Sequence, residues 1–559
     1  MNGYVVAIGG SGIRTLTSLY FLCAMGYIRE SELQVLVIDT DKDNGNTLEL
    51  EKVAETYDVC RAAILGLPDR ERAFFRTNIV LKKCFHLADG LNNLKSLIHF
   101  TAEGMDSAPQ GYDFETPELF AKALFGESGY RDTVFSQGFY GQPSVGALVF
   151  AHCLDKNNEI KIFAQEMIGA ASRNVPTRLI LLGSLFGGTG AAGMTSYLKY
   201  LNKSTNSSQR ETVAQNLKVA AVPLLPYLTF LDPEHQQSHV NPIQFRQKAK
   251  NVLQYLKEYE ETLKKSQKNI QICSHYIIDF LDKAVEAETD KLTIRGSHAE
   301  AGVNQYDWPH LAELIAALSI KHFLADDQRI SDYYFRCDMT SVSPESIFID
   351  DNGLYQAAEL FAEVSTLFNH LFYEELFPLK KDGTRGITKF NMDIYWNITR
   401  LNRKDVKGIF RAFYDFGTSY LRWAYEMNHS FLYLKGKEYD AKREAITNNS
   451  CLFHLPFFQQ DILARAYVLV QESEVGNRSE STRVDASVED HEASISALRK
   501  LQEKTDSGYL DKIWRIFRMK SPYYTVQQWK KFKNDVNGAA FWEHLYYCLA
   551  EEGINNVVG

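Results

Sequence analysis

The amino-acid sequence predicts an α/β fold built on a parallel β-sheet, and three stretches of the chain carry that prediction. An apolar run at residues 4–8 leads into a glycine-rich turn at 9–12 and then into a helical stretch. A second apolar run occupies residues 34–39, and a third at 178–182 leads into another glycine-rich loop at 187–193. Short apolar runs that alternate with glycine turns and helices are typical of strands buried in a parallel sheet.

The remaining elements extend this domain to about residue 325, where the character of the chain changes. The chain continues with a strand at 217–222, a long helix at about 242–265, a strand at 276–280 and a helix at 311–324. We expect an α/β domain at 1–325, an α+β to helical second domain at 326–471, a flexible linker at 472–492 and a helical segment at 493–559. The linker is predicted because it has few large apolar side chains and many Ser, Glu and Asp residues.

Composition restricts the classes of protein to which this chain can belong. At 559 residues it can form two or three domains, and 45% hydrophobic with 23% charged residues is typical of soluble globular proteins. A net charge of −9 argues against nucleic acid as the main partner, since phosphate backbones are bound by basic surfaces. The eight cysteines contain no CxxC pair, which predicts reduced thiols and no metal site of the protein's own. With no N-terminal signal and no apolar run of bilayer length, we expect a cytoplasmic protein without a transmembrane segment.

The two glycine-rich turns carry the chemistry that the sequence predicts. A strand that ends in small residues before a helix exposes backbone N–H groups and the positive end of the helix dipole, which together bind phosphate. The candidate phosphate-binding residues are Gly9, Gly10, Ser11 and Gly12 in the first turn, and Gly187, Gly188, Thr189, Gly190 and Ala191 in the second. Asp39 and Asp41 follow the second strand, where an acid can bind a ribose hydroxyl. The structural alternative is a loop whose glycines serve only close packing of strand and helix.

The number of glycine turns separates two classes of nucleotide-binding protein. The first turn alone would suit a dinucleotide-dependent enzyme as well as a protein that binds a nucleoside triphosphate. A dinucleotide fold uses a single glycine turn for its pyrophosphate, however, and the chain lacks the P-loop pattern G-x-x-x-x-G-K-[ST]. A triphosphate held without the P-loop lysine needs donors from more than one loop. Two glycine turns in one sheet therefore favour a triphosphate.

The second glycine turn also carries a family resemblance. The word Gly187-Gly188-Thr189-Gly190 resembles the signature loop of the tubulin/FtsZ superfamily, in particular of divergent bacterial tubulin-like proteins, with Ala192 where that family has a last glycine. Asp39-Thr40-Asp41 is similar to the family's Asn-Thr-Asp segment, and the turn around Gly141 resembles its G-x-G-R-P-x-x-G segment. The resemblance implies that Asn251 lies on the family's central helix, where its amide can bind one edge of guanine.

A later stretch resembles the loop that carries the family's hydrolytic acid. Residues 301–310 are similar to the loop that docks on the nucleotide of the next subunit, and Asn304 matches the family's asparagine. Tyr306 stands where the pattern has an acid, so Asp307 and Glu313 are the acids available to orient the attacking water. Alternatively, Asp307 is simply an N-cap of the helix that follows.

The resemblance implies a GTP-binding protein that uses Mg²⁺, hydrolyses GTP and assembles head to tail into filaments whose active sites are completed between subunits. It leaves the helical C-terminal half for a protein partner and points to bacterial conflict or plasmid-type systems, such as anti-phage defence. Two alternatives remain open. A switch or scaffold that binds nucleotide without hydrolysis is favoured by the family departures at Ala192, Gln142 and Tyr306. A dinucleotide-dependent oxidoreductase would use residues 9–12 and Asp39 and would leave the second turn without a role.

Overall fold

The computed structural model describes residues 2–41, 44–64, 74–85, 142–228, 245–280, 309–325, 331–337 and 403–434, with isolated positions between residues 87 and 139 and between residues 353 and 365. This part of the chain contains seven β-strands. They are β1 (Asn2–Ile8), β2 (Glu32–Ile38), β3 (Asn78–Cys84), β4 (Thr177–Ser184), β5 (Leu217–Leu224), β6 (Ile272–Phe280) and β7 (Tyr333–Cys337).

Nine helices lie in the same described ranges. They are α1 (Gly9–Ala24), α2 (Gly45–Ile64), α3 (Pro143–Cys153), α4 (Asn158–Ser172), α5 (Gly188–Ser204), α6 (Arg210–Asn216), α7 (Phe245–Leu263), α8 (Leu311–Leu324) and α9 (Arg403–Leu434). None of these described helices is long and apolar enough to cross a membrane.

All seven strands pair in parallel in one sheet, whose order is β3-β2-β1-β4-β5-β6-β7. The prediction of an α/β fold with a parallel sheet is therefore confirmed. In the centre of the sheet, Val5 of β1 is aligned with Val35 of β2 and with Ile180 of β4. All three side chains are fully buried, because helices cover both faces of the sheet.

The order in which the chain adds strands reverses between β1 and β4. From β1 the chain proceeds outward to β2 and β3, and from β4 it proceeds in the other direction to β7. At such a switch point the connections that follow the two neighbouring strands diverge to opposite faces, which opens a crevice at the carboxyl edge of the sheet. The two glycine turns lie at this crevice, because α1 follows β1 directly and α5 begins just after β4.

Contacts of successive residues in β1 show which helices cover each face of the sheet. The ring of Tyr4 packs edge-on against Phe163 of α4, with 5.4 Å between the ring centroids. Gly3 points to the other face, where a Cβ would lie 3.0 Å from Leu324 Cδ2 of α8. Helices α4 and α8 therefore lie on opposite faces of the sheet.

Contacts with residues of β1 also place α5 on the same face of the sheet as α4, and α1 on the same face as α8. Gly193 of α5 lies against Ile8, which points to the same face as Tyr4, whereas Gly12 of α1 lies against Ala7 on the opposite face. Helix α7 contacts α5, so α7 and α8 lie on opposite faces although each connects consecutive strands. Right-handed crossovers would place both helices on one face. The position of α8 on the same face as α1 therefore departs from the rule that crossovers between parallel strands are right-handed.

The chain divides into two compact units. The first consists of Met1–Leu19, Glu30–Lys52 and Asn78–Met339, and the second of Tyr20–Arg29, Val53–Thr77 and Thr340–Gly559. The second unit has an aromatic core, in which the Phe361 and Tyr420 ring centroids are 4.7 Å apart and those of Phe21 and Phe416 are 5.5 Å apart. Strand β7 of the sheet lies beyond residue 325. The predicted domain boundaries stay predictions, and the segments 472–492 and 493–559 lie outside the described residues.

Candidate functional site

The crevice between the ends of β1 and β4 brings residues of both glycine turns together. Gly9 begins α1 with a φ of +75°, a left-handed conformation that favours glycine. A Cβ at this position would lie 3.1 Å from the backbone nitrogen of Gly190 and 3.4 Å from the Cβ of Thr189. The side chain of Thr189 lies beside the carboxyl group of Asp39, which follows β2, and interacts with it. Three strand ends that are distant in sequence therefore meet in one crevice.

Close packing explains some of the glycines in the two turns, but not all of them. A Cβ on Gly190 would lie 2.7 Å from the carbonyl oxygen of Ser184 and 2.9 Å from its nitrogen, which are backbone atoms. A Cβ on Gly188 would lie 2.6 Å from the Cβ of Phe139. At Gly10, by contrast, no described atom lies within 4 Å of where a Cβ would be. Among the described residues, Gly10 therefore has open space beside it at the first turn of α1.

Asp39 is a buried carboxyl group at the edge of this space. It is 5% exposed, and its Oδ1 accepts a hydrogen bond from the N–H of Thr40 at 2.7 Å. Burial raises the pKa of Asp39 to about 7; the hydrogen bond from Thr40 and the interaction with Thr189 oppose this increase, and the charge of Asp41 adds to it. An ionised Asp39 repels an anion, so the crevice suits an anion better when this carboxyl is protonated or when a cation is bound beside it.

Two buried carboxyl groups follow β2, those of Asp39 and Asp41, and Asp41 Oδ2 also accepts a hydrogen bond from Asn44 Nδ2 at 3.5 Å. Within the described ranges, no group of three or more His, Cys, Asp or Glu side chains is arranged to hold a metal ion. Mg²⁺ is commonly held through one or two carboxylates together with phosphate oxygens of a nucleotide. The side chains therefore fit a metal ion that binds together with a nucleotide.

Arg14, in the second turn of α1, forms a buried ion pair with Glu313 of α8. Arg14 Nε donates to Glu313 Oε1 at 2.6 Å, and the two side chains are 9% and 0% exposed. The hydroxyl of Tyr227 accepts a hydrogen bond from Arg14 Nη2 at 2.7 Å and donates one to the same Glu313 oxygen at 2.7 Å. The side chain of Ser11, in the first glycine turn, interacts with this hydroxyl as well. The resulting network connects the first glycine turn to the first turn of α8.

His310 is the N-cap of α8. Its Nδ1 accepts the N–H of Ala312 at 3.0 Å, and Glu313 Oε2 accepts the N–H of His310 at 3.0 Å, which together form a capping box. The imidazole packs against the rings of Tyr227 and Phe280, at 4.8 Å from each centroid. Burial is the main cause that lowers its pKa to about 3. Because Phe280 ends β6, α8 begins at the same carboxyl edge as the glycine turns.

The structure separates the predicted site residues that it describes into three groups. Those at the crevice are Gly9, Gly10, Ser11, Gly12, Asp39, Asp41, Gly187, Gly188, Thr189 and Gly190, of which Gly12 packs against β1. Ala191 and the exposed Asn251 line a groove between α3, α5 and α7 instead, and Glu313 is buried in the network with Arg14. Gly141, Asn304 and Asp307 lie outside the described residues, so their roles stay predictions.

Arg14 and Tyr227 are site residues that the sequence motifs did not single out. An arginine inside an otherwise apolar helix is a signal for a buried partner, but that partner, Glu313, is 299 positions away. The spacing from His310 to Glu313 matches a capping box, with histidine in place of the usual Ser or Thr. The alternative that made Asp307 the N-cap is wrong, because α8 has His310 in that position.

The fold and the crevice define a class of protein. It is an α/β protein with a crevice at the switch point of a parallel sheet, the position where open sheets of this kind bind mononucleotides and dinucleotides. No family model, no curated protein and no solved structure matched this chain.

Replacing Tyr227 by phenylalanine should destabilise the protein by about 1–3 kcal/mol, because a buried ion pair loses its hydrogen bonds to the hydroxyl. The matched control is Tyr197→Phe, which removes a buried hydroxyl that has no hydrogen-bond partner among the described residues. Urea unfolding should give a lower midpoint for Tyr227→Phe, and for Tyr197→Phe a midpoint equal to or above that of the wild type. Equal midpoints for the two variants would contradict the role given to the network.

The stability of the wild type, relative to Asp39→Asn, should fall as the pH rises towards neutrality. The unfolded carboxyl loses its proton near the ordinary pKa of 3.8 and the folded one near 7, so folding takes up a proton between these values. Within that window the difference in unfolding free energy should change by about 1.4 kcal/mol per pH unit. Urea unfolding of both proteins from about pH 5 to about pH 8 measures it. Parallel profiles would show that Asp39 does not titrate there.

Proposed function

We propose that this chain binds GTP in the crevice between β1 and β4 and is a divergent bacterial protein of the tubulin/FtsZ type. The observation that carries the proposal is the contact between Gly9 and Gly190, through which two glycine turns meet across the switch point of the sheet. The resemblance of residues 187–190 to the family's signature loop supplies the class of nucleotide.

The groups around the crevice suit a triphosphate. Helices α1 and α5 both begin there, so their backbone N–H groups and positive dipole ends favour bound phosphate. Gly10 leaves room for phosphate oxygens, and Thr189 places a hydroxyl at the first turn of α5. Asp39 and Asp41 would hold Mg²⁺, which supplies positive charge to the phosphates when it is bound.

A dinucleotide-dependent oxidoreductase is less favoured, although its fold shares the strand order from β3 to β6. Two features argue against it. The second glycine turn packs directly on the first, so both turns can contribute donors to one ligand. Helix α8 lies on the face of α1, against the right-handed winding of doubly wound folds. Absorbance of a nicotinamide or flavin in the purified protein would favour the oxidoreductase.

The proposal extends to hydrolysis and self-assembly, as the family resemblance implies. Asn304 and Asp307 would orient the attacking water towards the terminal phosphate of a neighbouring subunit. Such a contact joins unlike surfaces of identical subunits, so it propagates into a filament unless it closes into a ring. A cytoplasmic location, a protein partner for the helical C-terminal half and a role in bacterial defence belong to the same proposal.

A switch or scaffold that binds GTP without hydrolysing it is the second candidate, and two observations favour it. Both carboxylate oxygens of Glu313 accept hydrogen bonds from within the chain, so the network occupies this acid. Pro309 and His310, which follow the proposed hydrolytic loop, are buried, and His310 lies at the same carboxyl edge as the crevice. A head-to-tail contact would need that loop at the opposite end of the subunit.

Gly10→Val should weaken GTP binding without unfolding the protein. The added Cβ meets no described atom within 4 Å, so the unfolding free energy should stay within about 1 kcal/mol of wild type. The side chain would take the space proposed for phosphate, and GTP affinity should fall by about tenfold or more.

The matched control is Gly190→Ala, which should lower stability by about 1–3 kcal/mol because its Cβ meets the backbone of Ser184. Calorimetric titration with GTP and urea unfolding separate the two effects. GTP binding that survives in Gly10→Val would contradict the proposed position of the phosphates.

Phosphate release from GTP, measured per subunit, should rise steeply with protein concentration and in parallel with light scattering. Asp307→Ala should slow release by about a hundredfold and leave GTP binding intact. Glu159→Ala, at an exposed acid of α4, is the control and should behave as wild type. Negligible phosphate release at every protein concentration, with GTP still bound, would favour the switch. The same concentration series with ATP measures the preference for guanine.

A further inference from the structure

A groove between α3, α5 and α7 has the size of a small-molecule site. It encloses about 710 Å³, and sites of about 300–1,000 Å³ commonly bind small ligands in proteins. Its apolar lining includes Phe150 and Ala151 of α3, Leu154 immediately after it, Ala191 and Ala192 of α5 and Val252 of α7. The lining follows α5 from Ala191 to Lys203, a rise of about 18 Å, so the groove accepts an elongated ligand.

The charged groups around this apolar surface are mostly positive. Lys199 and Lys203 come from α5, Lys248 comes from α7, and Asp155 is the acid in the lining. This local excess of positive charge stands in a chain whose net charge is −9. A concave apolar surface with positive charges at its border complements a molecule that combines an apolar body with an anionic group.

The three lysines of the groove differ in their interactions with neighbouring residues. Lys199 Nζ lies 4.9 Å from the ring centroid of Tyr255, within the range of a cation–π contact. Lys203 Nζ lies 3.2 Å from Asp155 Oδ2, but this pair is exposed and therefore weak, so an anion can compete for the lysine. Burial lowers the pKa of Lys248, and an anion beside it would stabilise the charged ammonium.

We propose that this groove binds a small amphipathic organic anion, such as a medium-chain carboxylate. Its apolar part would lie against Phe150 and Val252, and its anionic group would lie beside Lys203 and Lys248. The groove adjoins the proposed GTP site, because both include the first turn of α5, but the groove continues along α5 between α3 and α7 and is bordered there by its own lysines.

The test uses the full chain and a fluorescent sulfonate, 8-anilinonaphthalene-1-sulfonate, with N-phenyl-1-naphthylamine as its neutral counterpart. We expect the sulfonate to bind at a single saturable site and to be displaced by decanoate. Ala147→Trp, which fills the groove, should abolish this binding. Lys248→Gln should weaken sulfonate binding by about tenfold and leave the neutral probe unaffected.

Lys218→Gln, at an exposed lysine of β5 outside the groove, is the matched control and should bind both probes as the wild type does. Circular dichroism shows whether Ala147→Trp folds. If that variant does not fold, Lys248→Gln alone tests whether the sulfonate binds in the groove. Unchanged sulfonate binding in the groove variants, or equal loss of both probes in Lys248→Gln, would overturn the proposal. Displacement of the sulfonate by GTP would overturn it as well, since the groove would then belong to the nucleotide crevice.

Discussion

The close contact between the two glycine turns is the constraint on which the rest of the structure depends. Gly190 lies against the backbone of Ser184 at the end of β4 and against the carbonyl oxygen of Ile8 at the end of β1, so a side chain there would push α5 away from both strand ends and from Gly9. Backbone atoms cannot rotate aside as side chains do, and a packed interior tolerates little added volume. Because this contact is kept, the ends of β1, β2 and β4 hold Gly9, Asp39 and Thr189 around one crevice.

The buried ion pair of Arg14 and Glu313 connects that crevice to α8. Desolvation of two buried charges is unfavourable by several kcal/mol, and it is offset only when the remaining donors and acceptors are also satisfied. Here the hydroxyl of Tyr227 bonds to both partners, and the backbone N–H of His310 occupies the second carboxylate oxygen. An arrangement that separated α1 from α8 would leave uncompensated charge in the interior. The network therefore stabilises α8 on the face of the sheet that a right-handed crossover would not place it on.

The crevice and the groove differ in the ligands that they suit, although α5 contributes to both. At the crevice, two helix N-termini favour an anion while Asp39 and Asp41 favour a cation. A nucleotide bound with its metal ion satisfies both preferences, whereas an anion alone leaves the carboxyl groups opposed to it. In the groove, lysines border an apolar surface and Asp155 is the acid in the lining. That chemistry matches an organic anion with an apolar body and not a metal–phosphate group.

The sequence by itself determined the α/β class, because buried apolar runs separated by glycine turns are local patterns. It also located residues 9–12, Asp39 and 187–190 at strand ends, and the structure brings them together because the carboxyl ends of parallel strands share one edge. Only the tertiary structure decided that Arg14 pairs with Glu313, 299 positions away, and that α8 lies beside α1. It also decided which glycines pack against backbone atoms and which have no described atom within 4 Å of a Cβ. These features depend on contacts between distant segments, and no local pattern of residues encodes such contacts.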